Sequence, residues 1–221
     1  MNKAVVLLSS GLDSSVNLYA AMNAGFEVSA VTFDYGQRAS KKEILCASKI
    51  CEKLNISHEI IDLKFIKKFG TSSLIDENRV IPTKDEVQID NFNTSEKTAK
   101  SVWVPNRNGI FLNVAAGVAE SIGATWVVPG FNKEEASTFP DNSFEFMKRL
   151  EHSFELSTAN CVKVKCFTVD MDKTEIVKLG KKLNVDWTLI WPCYFDGEKW
   201  CRECESCQRS LRAFKNVCIE V

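Results

Sequence analysis

The sequence predicts an α/β domain: a parallel twisted sheet of about five strands with helices on both faces, followed by a small cysteine-rich C-terminal segment. Short apolar, β-branched runs alternate with stretches of helical period, the pattern of a parallel sheet with crossover helices. Polar loops follow the strands directly, where such sheets bind ligands. Four cysteines crowd together near the C-terminus.

The elements follow in order. Ala4–Leu8 is a short apolar run that reads as a buried parallel strand. Asp13 to Ala24 reads as a helix stopped by Gly25. Val28 to Phe33 is the second strand, with the polar loop Asp34-Tyr35-Gly36-Gln37-Arg38 at its end. Lys41 to Leu54 has Ile44, Leu45, Ala47, Ile50, Cys51 and Leu54 on one face, as in an amphipathic helix. His58 to Leu63 is a third strand. From about 70 to 102 polar residues dominate and no long apolar period appears, so this is read as a lid-like insertion. A helix over Asn108–Ile122, a strand at Trp126–Val128, a polar loop over 130–142 and a helix over Phe144–Ser157 come next. A fifth strand over Val162–Val169 and a helix over Lys173–Leu183 complete the domain, assigned to residues 1–185, with the cysteine segment at 186–221.

The chain has 221 residues, 45% of them apolar, enough for a core without staples. A formal net charge of -1 argues against a broad nucleic-acid or membrane surface. The apolar start is too short for a signal-peptide core, and no run reaches membrane-spanning length, so a cytoplasmic protein is expected. Its 9 cysteines are then reduced thiols. Five are scattered and read as small buried residues: Cys46, Cys51, Cys161, Cys166 and Cys218.

The first strand runs into Ser9-Ser10-Gly11-Leu12-Asp13-Ser14-Ser15. The turn lacks the lysine of a Walker loop and the glycine pattern of a dinucleotide fold. It does place unpaired helix N–H groups and four serine hydroxyls around one point, which suits an anion such as pyrophosphate. Asp13 is ill-suited to touch phosphate and reads as a magnesium ligand or as a helix cap. At Ser10 a negative φ would make the side chain harmless, and a positive φ would be a reason to doubt the turn's grip on phosphate.

Cys193, Cys201, Cys204 and Cys207 have the spacing of a tetrahedral metal site. Zinc is the first choice, closed and structural with four thiolates; an iron–sulfur cluster is the rival. Arg209 and Arg212 follow on a predicted helix and are candidates to face an anion.

The glycine–serine turn resembles the loop of the PP-loop ATP pyrophosphatases. Taken with VTFDYGQR at 31–38, Val104-Pro105-Asn106-Arg107-Asn108, Phe139-Pro140-Asp141, Lys173-Thr174-Glu175-Ile176, the cysteines, and Arg209 followed by Ala213-Phe214, the chain is similar to the 7-cyano-7-deazaguanine synthase family. That resemblance implies a ligase forming carbon–nitrogen bonds in queuosine and archaeosine biosynthesis. ATP would activate the carboxylate of 7-carboxy-7-deazaguanine, ammonium would give the amide, and a second ATP would activate the amide oxygen on the way to the nitrile. It implies a homodimer using free ammonium, with no direct nucleic-acid or membrane partner, one structural zinc per chain, and magnesium accompanying ATP. Residues matching the family's ATP stretch are Leu8, Ser9, Ser10, Gly11, Leu12, Asp13, Ser14, Ser15, Val16, Asn17 and Leu18. Asp13, Lys173 and Arg107 are the catalytic candidates; a solvated lysine and a surface ion pair are the plain alternatives for the last two. In the 130–142 loop, Glu135 or Asp141 is the candidate to read the base, with Phe139 stacking on it. This loop differs from the family's better-known bacterial pattern. A PP-loop tRNA sulfur-transfer enzyme with an iron–sulfur cluster, and an enzyme joining a deazaguanine to a protein partner, remain alternatives.

Overall fold

The computed structural model describes residues 2–70 and 72–221. Five parallel strands form one sheet in the order β3-β2-β1-β4-β5: β1 Lys3–Leu7, β2 Glu27–Asp34, β3 Ser57–Asp62, β4 Trp126–Val128 and β5 Lys163–Val164. The order reverses at β1, so the crevice beyond its carboxyl end lies between β2 and β4. Val5 pairs with Ser29 on one side and with Val127 on the other.

Alternation along β1 decides which helix covers which face. Ala4, Val6 and Leu8 point to one side and pack with Leu18 and Ala21 of α1 (Leu12–Asn23) and with Ala47 and Ile50 of α2 (Ser40–Leu54). Val5, with Val31 and Val127, faces the other side, onto α4 (Arg107–Ser121) and Met147 and Phe154 of α6 (Phe144–Ser157). Helix α1 ends in a Schellman turn: Gly25 at φ +82 donates to Met22, and Phe26 to Ala21. A third cluster joins Leu12 and Val16 to Ile176 and Val177 of α7 (Lys173–Lys182) and to Ala213 and Phe214 of α8 (Glu205–Asn216).

Three expectations are corrected. The fifth strand is only Lys163–Val164, because Cys166, Phe167 and Thr168 leave the ladder to bond with Asn17 and with the Phe131 carbonyl. The 70–102 stretch contains a helix, α3 (Phe92–Val102), capped by Asn91 accepting from Thr94 N. It buries Ser95, Thr98, Ala99 and Val102, so its inner face is mostly small and polar and leaves little apolar period to read. The 130–142 loop holds a short helix, α5 (Lys133–Ala136), capped by Asn132. Among the described residues no helix is long and apolar enough to cross a membrane.

Candidate active site and metal centre

The turn after β1 leads into α1 with Gly11 as its N-cap, and no side chain caps it. Asp13 therefore is not the cap, which removes one of its two readings. The first N–H groups of α1 have no partner inside the helix and are free for an anion. Ser9 and Ser14 hydroxyls lie 3.1 Å apart, and Ser14 Oγ also donates to the Gly11 carbonyl. Gly130, after β4, presses on this turn so closely that a Cβ there would fall 2.6 Å from Ser14 N.

Of the two alternatives for Ser10, the structure has the strained one. The residue sits at φ 57, its carbonyl accepts from Trp191 N at 2.8 Å, and its hydroxyl is buried without a partner. The left-handed region costs an L-residue about 1–2 kcal/mol. Ser10→Gly is therefore expected to stabilise the protein by about 1 kcal/mol. Urea unfolding measures this, and a lower midpoint in the glycine variant would refute the strain.

Beneath the turn lies a buried charge cluster. Lys173, at the start of α7 and 3% exposed, donates to Asp13 Oδ2 at 2.5 Å and to Glu135 Oε1 at 2.7 Å. It is not a solvated lysine. Burial opposes its charge, yet the two carboxylates hold it protonated above the ordinary lysine range. Burial raises the Asp13 carboxyl against the pull of Lys173; at Glu135 burial also pushes upward, but Lys173, Asn132 and Arg209 together bring the carboxyl below the ordinary range. Asn132 Nδ2 donates to Asp13 Oδ2 at 3.2 Å, and Asp13 Oδ1 is buried with no partner. A bare carboxylate oxygen beside an anion-binding turn fits a hard cation such as magnesium.

A cavity of about 230 Å³ joins these groups to the ends of β2 and β4. Of the predicted ATP stretch, Leu8, Ser9, Gly11, Leu12, Asp13 and Ser14 line it. Ser10 and Ser15 are fully buried beside it, Val16 and Leu18 lie in the core, and Asn17 holds the β5–α7 connection. Arg107, Glu135, Phe139 and Lys173 line the cavity, whereas Asp141 does not. The Asp141 carboxylate accepts from Asn142 instead. Arg107 bonds Tyr35 Oη and Asn108 Oδ1 and lies 5.8 Å from the Tyr35 ring. Among the described residues it has no carboxylate partner within ion-pair distance, so it is not a surface salt bridge. Arg209 and Arg212 turn out to be committed: both grip Glu134 Oε2, at 3.1 and 2.6 Å, while Glu134 Oε1 accepts from Lys173 N. The sequence reading missed Asn132, Glu134 and Glu43. Glu43 lines the cavity, and burial pushes its carboxyl up to about 7.

The four predicted cysteine sulfurs lie within 4.8 Å of one another, as a tetrahedral ion requires. Backbone N–H groups of Phe195 and Cys201 point at Cys193 Sγ, and those of Glu203 and Cys204 at Cys201 Sγ. Such donors stabilise thiolates. This donor set fits a metal ion and leaves it no open position. Residues beside the cluster, Trp191, Pro192 and Tyr194, line the cavity, and Thr83 bridges to Cys204.

A parallel sheet whose strand order reverses at β1, with free helix N–H groups and an acidic residue where that strand meets α1, is the arrangement of α/β proteins that bind ligands at the sheet's switch point. A crystal structure of a 4-thiouridine synthetase in complex with RNA and bound ATP shares the fold, with TM-score 0.52 and 20% identity over 98% of this chain and 51% of that one. The model of the family described as "Queuosine biosynthesis protein QueC" matches residues 3–218. The chain belongs to this family. Relatives named 7-cyano-7-deazaguanine synthase include one from Bdellovibrio bacteriovorus, 56% identical over 99% of this chain and 95% of its own length. Another, from Methanocaldococcus jannaschii, is 47% identical over 99% of this chain and 97% of its own length.

Proposed function

We propose that the protein makes 7-cyano-7-deazaguanine from 7-carboxy-7-deazaguanine, ammonium and two ATP, releasing two AMP and two diphosphate. The observation that carries this reading is the joining of the phosphate turn, the Asp13–Lys173–Glu135 cluster and the β4 loop in one cavity, in a chain whose curated relatives bear that enzyme's name.

In the first half, a carboxylate oxygen attacks the α-phosphorus of ATP and diphosphate leaves. Free N–H groups of α1 and the Ser9 and Ser14 hydroxyls hold the departing charge. Asp13, through its unpartnered Oδ1, would hold the magnesium that accompanies ATP, and that ion would supply further neutralisation of the phosphates. Lys173 fixes the Asp13 carboxylate so that Oδ1 stays free, and Arg107 adds an unpaired positive charge to the cavity. Ammonia then displaces AMP and leaves the amide. In the second half, the amide oxygen attacks a second ATP, and loss of AMP with the amide protons leaves the nitrile. Both halves convert an oxygen into AMP, so one turn serves twice. Phe139 stacks on the base. The four-cysteine site holds zinc and keeps the C-terminal segment in place, and the enzyme acts in the cytoplasm as a homodimer.

The test is a reaction of the purified protein with the deazaguanine acid, ammonium and ATP. The nitrile is expected by mass spectrometry, with two AMP and two diphosphate per nitrile. Release of ADP and phosphate, or no product, would reject the reading.

A further inference from the structure

The sequence offered Glu135 and Asp141 to read the base, but Glu135 is held by Lys173 and Asp141 lies off the cavity wall. Four carboxylic side chains line the cavity: Asp13, Glu43, Glu135 and Glu205. Asp13 and Glu135 are paired with Lys173. Both Glu205 oxygens are taken, one by Thr98 Oγ1 at 2.6 Å and the other by Arg209. Glu43 differs. Its Oε2 accepts from Gln37 Nε2 at 2.7 Å, and its Oε1 takes no hydrogen bond from the described residues. Gln37 is itself fixed, accepting from Tyr35 N at 3.0 Å and donating to the Phe33 carbonyl at 3.1 Å, so the carboxylate is aimed before any ligand arrives.

Its surroundings suit a flat heteroaromatic ring. Phe33 and Phe111 stack at 4.5 Å, and Tyr35 tilts against Phe111 at 5.3 Å. All three line the same cavity, as does Arg107 with its unpaired guanidinium. A guanine-type ring carries two adjacent donors on its pyrimidine edge, N1–H and the 2-amino group, and a carboxylate accepts both. Adenine offers a donor beside an acceptor there, so a carboxylate answers only half of it. The 7-carboxylate of the proposed substrate lies at the opposite end of the ring system, where a cation is the fitting partner.

We propose that Glu43, oriented by Gln37, is the residue that binds the N1–H/2-amino edge of the deazaguanine and so sets specificity for a guanine-type ring. This rests on the reading given under Proposed function. A burial-raised carboxyl that regains full charge on accepting two N–H donors is consistent with that role.

The test combines calorimetric binding of the deazaguanine acid with turnover. Hydrogen bonds to a charged group contribute about 1.5–3 kcal/mol, so E43Q is expected to weaken the acid about 10- to 100-fold while leaving the KM for ATP within about 2-fold. On the wild-type protein, an analogue lacking the 2-amino group should bind about 10-fold or more weaker than the acid, and E43Q should barely distinguish the two. Unchanged affinity for the acid in E43Q, or a raised KM for ATP in its place, overturns the proposal. If E43Q does not fold, the wild-type comparison decides alone: equal affinity for acid and analogue overturns it. Binding of the acid without nitrile formation would reject the proposed reaction while leaving the affinities to judge Glu43.

Discussion

Lys173→Met is expected to lower turnover by about 10²- to 10³-fold, the range seen when a preorganised electrostatic partner is removed from a site. Lys173 is the cation between Asp13 and Glu135, with Glu134 adjoining, and methionine fills its volume without its charge. Stranding buried charge costs about 3–5 kcal/mol, and the loss should fall near the lower end because Asp13 can take up a proton. The sign of the pH effect follows from the same contact. Lys173 pulls the Asp13 carboxyl down against burial, so removing it moves that carboxyl further up. The acid limb of the rate–pH profile then shifts to higher pH, because a protonated Asp13 cannot hold a cation. Diphosphate release measured from pH 6 to 9, with urea unfolding alongside, checks both parts. A variant with wild-type turnover would remove Lys173 and the buried cluster from the mechanism. In the double variant with Asp13→Asn the losses should not add, since the two side chains act as one unit.

What the sequence revealed, and what it hid, has a common physical reason. Signals carried by local spacing were legible: the alternating strands and helices, the glycine–serine turn at a helix start, and the cysteine spacing. Features that arise from tertiary contact were not. Ser10 stands where the PP-loop motif has glycine, yet only the fold shows that it takes a positive φ, with its carbonyl accepting from Trp191 N of a loop far along the chain. Helix α3 escaped because much of its buried face is small and polar, docked by the Thr98–Glu205 bond and by Arg209 near Ser95. Glu43 looks like any acid in the first turn of a helix, where it would be expected to face water. Its place on the cavity goes with Gln37, six residues earlier, which donates to its carboxylate. Arg209 and Arg212 were legible as a pair but not in their target, since Glu134 becomes their partner only when α8 folds back over α5.

That fold-back makes the cysteine site the other point of large effect. Cys204→Ser is expected to cost about 5 kcal/mol of stability and to lower the melting temperature by about 10–20 °C, given that 1 kcal/mol moves a chain of this size by about 2–4 °C. Cys204 is fully buried, is the N-cap of α8 and pairs with Thr83 of the insertion. Helix α8 carries Cys207 in its first turn and Phe214 farther along, where Phe214 packs edge-on against Trp187 at 5.1 Å. Four thiols brought together without an ion have little to offer one another, so loss of the metal should release the start of α8 first. Its consequence for activity is indirect. Arg209 and Arg212 would leave Glu134, the Lys173 N–H would lose its anchor, and the Trp191–Tyr194 wall of the cavity would open. On the proposal that this is a closed, structural metal site, activity is expected to track metal content and melting temperature together. Elemental analysis, thermal unfolding with and without a chelator, and turnover on the same samples make the comparison. A metal-free protein that melts earlier yet turns over normally at low temperature would show that α8 does not hold the Glu134 network in place.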